Sequence, residues 1–255
     1  MERTKRLVVV CTILAASAIF ATDAAAQTKI TKCQSISATG SYVLGSNLTA
    51  NSPGTCLPIS ADFVTIDLNG FTIDCAGLLG EGIGEGSNVQ GTTVRNGTIT
   101  RCYRGVNLAG SNALIERVRA VSNTNEGINV GHDGMVKDSQ ASQNGGDGIA
   151  LFFYGLVTGS SSFANGGNGI SAGNGSSVIG NTASSNTGHG ILAALSLVAK
   201  NNSTGNHLYG YYIYCAGNVI ENMARGNQNG FPGAANFFYD MTLGGTCNTS
   251  NNWEP

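Results

Sequence analysis

The sequence predicts an all-β solenoid of stacked coils, about 20–23 residues each, on three observations. One short glycine phrase recurs as YRGVNL, NEGINV, GDGIAL, GNGISA, GHGILA, LYGYYI and QNGF. Its glycines, Gly105, Gly127, Gly148, Gly169, Gly190, Gly210 and Gly230, return at a nearly fixed interval, and a short fixed period of this kind signals repeated coils. Two aliphatic columns travel with it: Val106, Ile128, Ile149, Ile170, Ile191 and Tyr211 beside the glycines, and Ile115, Val136, Val157, Val178, Val198 and Val219 in a second phrase. At a constant offset after each member of the second column stands an asparagine: Asn123, Asn144, Asn165, Asn186, Asn206 and Asn227. Side-chain amides at such a position can bond up and down a stack, and asparagine also tolerates the left-handed backbone of a tight bend. Coils of two or three short strands, paired in parallel with their neighbours, would bury the aliphatic columns.

In chain order, Arg3, Lys5 and Arg6 precede an apolar run from Leu7 to Ala21, followed by Ala24-Ala25-Ala26. This is the pattern of a signal peptide over residues 1–26, which predicts an exported protein, periplasmic or secreted. No later stretch reaches the roughly 18 apolar residues of a membrane span. Beyond the leader stand 10 basic and 13 acidic residues, a net charge of −3. That balance lacks the basic footprint of a nucleic-acid binder. Six cysteines remain after Cys11 of the leader is set aside, none with CxxC spacing. An even number in an oxidising compartment argues for disulfides.

Residues 27–62 read as an N-terminal cap, with SYVLGSNLTA and CLPIS as short strands and Cys33 with Cys56 close enough to staple it. The solenoid proper spans 63–240. Its first strand, Phe63 to Leu68, alternates so that Val64, Ile66 and Leu68 share a side. NGFTIDC at Asn69–Cys75 returns as NGTITRC at Asn96–Cys102. Stacked in adjacent coils, Cys75 and Cys102 would lie about 4.8 Å apart, within reach of a disulfide. The residues between, Leu78 to Gly91, are expected to form a loop leaving the coil. Residues 241–255 form a C-terminal tail. Phe237, Phe238, Tyr239 and Trp253 are expected to cover the last coil, with Cys215 paired to Cys247.

With its glycine phrase, aliphatic columns and asparagine ladder, the chain resembles the right-handed parallel β-helix repeat proteins of the pectate-lyase-like superfamily, which include carbohydrate-binding and sugar-hydrolase repeats. The resemblance covers roughly Phe63 to Tyr239 and implies a single-stranded right-handed parallel β-helix. It leaves function open, because one fold carries many chemistries.

Just before the glycines runs a further column: Glu81, Arg104, Glu126, Asp147, Asn168, His189, Tyr209 and Asn229. Asp147 and Gly188-His189-Gly190 are similar to the first and last motifs of polygalacturonase-type glycosidases. Asn168 stands where that family has paired aspartates, and inverting hydrolysis needs both a general acid and a separate base. Hydrolysis of that type is therefore disfavoured. Glu126 and Asp147, one coil apart, could hold Ca²⁺, share a proton, or turn apart into water. Lyases of the superfamily combine Ca²⁺-binding acids with a basic residue that removes a proton alpha to a uronate carboxylate. Lys137 and Arg117 beside Asp138 and Asp133 are the nearest equivalent here. Their charges are equally explained by register, with Arg117 facing Asp138, Glu116 facing Lys137 and Lys200 facing Glu221 in neighbouring strands. GHDG at Gly131–Gly134 is similar to an alginate-epimerase motif without its first Asp and its Pro.

Tyr211 and Ile213 share the inward phase, which sends Tyr212 and Tyr214 outward and makes Tyr212 a candidate sugar contact. Three readings follow. The leading one is a non-catalytic or degenerate module that binds a polysaccharide or cell-surface glycan. The others are a lyase or epimerase acting on uronate glycans, using Glu126, Asp147 and His189 or Arg117, Lys137 and Asp138, and a purely structural surface protein. No cofactor is required unless Ca²⁺ is bound.

Overall fold

A computed structural model describes residues 27–227, 237–240 and 245–253; the expected signal peptide, Asn229 and Gly230 lie outside them. The chain is a parallel β-solenoid of about nine turns, without helix among the described residues. A typical coil has three short strands, as in Ile128–His132, Met135–Lys137 and Gln140–Ser142. The first strand of each coil joins a nine-stranded parallel sheet, and the other two join a larger sheet of 18 strands. The larger sheet is one body because Thr93–Thr100 and Leu114–Val121 run unbroken through the corner between its halves.

Inward positions are apolar because a coil has no other place to bury surface. Val106, Ile128, Ile149, Ile170, Ile191 and Tyr211 stand in register and are fully buried. So does the column from Ile115 to Val219. At the C-terminal end Tyr211 fills the core, its ring stacked on Phe237 at 4.6 Å and its hydroxyl 2.7 Å from the Asn201 carbonyl.

The asparagine column is a continuous buried ladder. Each Nδ2 donates to the next Oδ1 at 2.8–2.9 Å, from Asn123 through Asn227. The same Oδ1 atoms accept the backbone N–H of the preceding asparagine at 3.0–3.1 Å. The left-handed bend, however, falls just before the asparagines: Ser122, Gln143, Ala164 and Ser185 take φ of 55–56°. A left-handed residue with a side chain costs about 1–2 kcal/mol, and the ladder that follows it offsets this. A second ladder at the other corner went unread in the sequence. It runs from Ser139 to Ser160, Asn181, Asn201, Asn222 and Asn252.

Three disulfides form: Cys33–Cys56, Cys75–Cys102 and Cys215–Cys247, with Cα separations of 4.6, 4.7 and 4.9 Å. Other expectations are corrected. The Leu78–Gly91 stretch is not a plain loop, for Ile83–Glu85 is a strand of the nine-stranded sheet. Phe237–Asp240 does not cover the last coil but extends it, pairing in register with Tyr211–Tyr214. Trp253 does not serve as a cover either; it is 59% exposed while its backbone bridges Met223.

Candidate functional site

The nine-stranded sheet turns one broad face to solvent. Strand alternation puts Asn107, Asn129, Ala150, Ser171, Leu192, Tyr212 and Phe238 in one outward row, each in register with the next. Along the entry edge runs the column that precedes the glycines, and along the exit edge stand His132, Phe152, Phe153 and Tyr154.

At the N-terminal end of the entry edge one guanidinium is shared between two carboxyls. Arg104 reaches Glu126 at 2.5 Å and Glu81 at 3.6 Å. Asn107 donates to Glu81 Oε1 at 2.6 Å, and Asn129 donates to Asn107 Oδ1 at 2.7 Å. Burial raises the Glu81 carboxyl above its ordinary range, against the opposing pull of Asn107 and Arg104. Glu126 faces Arg104, and Asp147 turns one carboxyl oxygen along the stack. Among the described residues no group of three or more His, Cys, Asp or Glu side chains is placed to hold a metal ion.

From Asp147 onward the column becomes a ladder of acceptors. Asp147 Oδ1 accepts the Asn168 N–H at 2.6 Å, Asn168 Oδ1 accepts the His189 N–H at 2.9 Å, and His189 Nδ1 accepts the Tyr209 N–H at 3.2 Å. These three side chains share one structural task, so Asn168 is at home where a hydrolase would need an acid. Burial pushes the Asp147 carboxyl up, the Glu126 charge adds to the rise, and hydrogen bonds from Asn168 and Ser171 oppose it. Burial holds the His189 imidazole below its ordinary value. With Nδ1 accepting, the neutral ring carries its proton on Nε2.

Past His189 the face becomes aromatic. His189 stacks on Tyr209 at 5.6 Å with the rings nearly parallel, and lies 4.8 Å from Tyr212. Phe238 stacks on Tyr212 at 4.8 Å and lies 5.0 Å from Tyr209. On the exit edge, His132 packs 5.2 Å from Phe153, which meets Phe152 edge-on at 5.8 Å. Phe152 and Tyr154 are 56% and 67% exposed. Between this wall and Tyr214 lies an apolar hollow of about 320 Å³, floored by Ser171, Leu192 and Ala194.

Arg117, Lys137 and Asp138 sit elsewhere, at the corner between the halves of the larger sheet. The expected pairing of Arg117 with Asp138 does not form: Arg117 turns back to Glu116 at 2.6 Å and donates to Asn96 at 2.8 Å. Arg117 and Asp138 both occupy left-handed corner positions, and Arg117 reaches across to Asn96 of the preceding coil, away from Asp138. Lys137 lies 3.4 Å from Glu116 and 3.7 Å from Asp138, and Lys200 lies 3.7 Å from Glu221. Sequence reasoning missed Glu85. It occupies an inward position between Ile59 and Leu108, is 7% exposed, and accepts the Thr92 hydroxyl at 2.5 Å and the Gly110 N–H at 3.3 Å. The glycine–aliphatic pair Gly82-Ile83, one coil before Gly105-Val106, was the signal that would have placed it.

No family model matches the chain, and no curated protein matches it by sequence. Solved structures do match. The A-module of the mannuronan C-5 epimerase AlgE4 of Azotobacter vinelandii superposes with a TM-score of 0.71 at 12% identity, over 89% of this chain and 77% of that one. The periplasmic alginate epimerase AlgG matches with a TM-score of 0.56 at 12% identity, over 86% and 70%. The Dettilon tailspike protein matches at 0.53 and 14%, over 88% and 62%. At 12–14% identity these likenesses show a shared parallel β-helix fold.

Proposed function

We propose that this chain is an exported polysaccharide-binding protein that holds a glycan along the outward face of its nine-stranded sheet without turning it over. The observation that carries the reading is the division of labour on that face. Asp147, Asn168 and His189 are occupied as acceptors for backbone N–H groups, whereas the rings of Tyr209, Tyr212 and Phe238 pack into an aromatic cluster beside them. Aromatic faces present the apolar surface on which sugar rings stack. Three disulfides favour an oxidising compartment, and the fold's likeness to alginate epimerases and a tailspike supports a glycan as partner.

A second reading, an epimerase or lyase acting on a uronate glycan, draws on the raised Asp147 and lowered His189 in one column. The two stand two coils apart, roughly 10 Å, with Asn168 between them. The test is a glycan array with the secreted protein, with and without Ca²⁺, read for bound polysaccharide and for unsaturated or epimerised product. Saturable binding without product, weakened about 3- to 10-fold by Tyr212→Ala, is expected. Product formation would establish the enzyme, and a blank array would leave a structural surface protein.

A further inference from the structure

The face just described is poor in positive charge. Among the described residues Arg104 is the only lysine or arginine on the nine-stranded sheet's outward face or its edges, and it is engaged by Glu81 and Glu126. The others lie on the larger sheet, at its corners, or, for Lys32, in the first half-coil. Against one guanidinium the entry edge sets Glu81, Glu126 and Asp147. A polyuronate would bring a row of carboxylates to this surface, and a carboxylate is recognised by a guanidinium or ammonium that pairs with it. Among the described residues no free one waits there. Removing a carboxylate from water without such a partner is unfavourable, and the fixed acids add repulsion.

The C-terminal half of the same face offers something else. The hollow between Phe153 and Tyr214, floored by Ser171, Leu192 and Ala194, is an open depression of about 320 Å³. It opens one strand from Tyr212, so a sugar stacked on the tyrosine would direct a substituent into it. We infer that the ligand of this face is a polysaccharide of uncharged sugars bearing methyl-terminated groups, whether a methyl ester, an O-acetyl group or the methyl of a 6-deoxy sugar. The inference rests on the glycan-binding reading and specifies its substrate class. Each methyl group taken from water into the hollow contributes about fourfold in affinity.

The experiment is calorimetric titration of the secreted protein with matched polymers. The pairs are methyl-esterified against de-esterified polygalacturonate, acetylated against deacetylated glucomannan, and a rhamnan against a mannan. At least one methyl-bearing member binds about fourfold or more tightly than its matched partner, at an affinity that does not fall as salt is raised. The preferred pair names the substituent. Leu192→Lys, on the outward row, weakens that binding and strengthens binding of de-esterified polygalacturonate; Phe153→Ala weakens the first without creating the second. De-esterified polygalacturonate or alginate bound as tightly as any methyl-bearing polymer, or binding that salt abolishes, overturns the inference while leaving glycan binding intact. Failure of every polymer, charged ones included, overturns the glycan-binding reading itself.

Discussion

Replacing Asp147 separates a ladder residue from a catalytic one. In the fold its Oδ1 accepts the half-buried Asn168 N–H at 2.6 Å, and an asparagine side chain can present the same oxygen, as Asn168 itself does one coil later. Asp147→Asn therefore keeps the acceptor and removes a carboxyl whose ionisation burial disfavours. Asp147→Ala removes the acceptor and leaves a backbone N–H unpaired, at a cost of about 1–3 kcal/mol. The pH dependence has a definite sign. A carboxyl raised in the folded state contributes stability that is complete below its unfolded value, near 3.8, and lost as pH rises through the higher folded value. The asparagine variant lacks this one group's loss, so its advantage over the wild type grows from acid pH towards neutrality. Urea unfolding of the secreted protein at several pH values measures both effects. Asparagine at least as stable as wild type at neutral pH, alanine clearly less stable, and unchanged glycan binding in the asparagine variant are expected. If the asparagine variant keeps its stability but abolishes a turnover measured for the wild type, Asp147 is a catalytic acid and the ladder account of this column fails.

Two further predictions concern the interior. Asn165→Ala breaks contacts to Asn144, Asn186, Ser162 and the Ala141 carbonyl at once, and with several buried groups unpaired the loss is about 3–5 kcal/mol; a loss below about 1 kcal/mol in denaturant would show that the ladder is ornamental. Burial raises the Glu85 carboxyl above its ordinary 4.5, so Glu85→Gln should flatten the decline of wild-type stability as pH rises past that value, and an unchanged decline would place the responsible group elsewhere.

The architecture was legible because its strongest requirement, burial of a shared column, repeats at each coil and so appears as periodicity. Ile149, Ile170 and Ile191 could be aligned without knowing where any strand began. The second ladder was not legible, because serine and asparagine share one physical role from Ser139 to Asn252 and a residue-by-residue comparison does not equate them. The left-handed corners were hidden for a related reason. Ser122, Ala164 and Lys200 share a backbone conformation that none of their side chains advertises, since the following ladder residue stabilises it, and Arg117 shares it ahead of Val118, whose N–H the Ser139 hydroxyl accepts. Arg117 reaches back to Asn96 of the preceding coil rather than forward to Asp138. At the candidate site, register brought Asp147, Asn168 and His189 into one line correctly, but their use as backbone acceptors depends on side-chain direction. Outward and inward phases of Tyr212 and Tyr211 followed from alternation alone.

The asparagine ladder has a direction: every rung gives an amide hydrogen to the coil above and receives on its oxygen from the coil below. A coil lifted out would leave a donor surface facing an acceptor surface that already match. Nothing in the described interior therefore dictates how many coils the molecule must have, and duplication of one whole coil within the regular middle would be absorbed without new chemistry. The length of the outward face is thus a heritable variable that needs no new side-chain chemistry, and a lineage could match its reach to a polymer by copying or deleting whole turns.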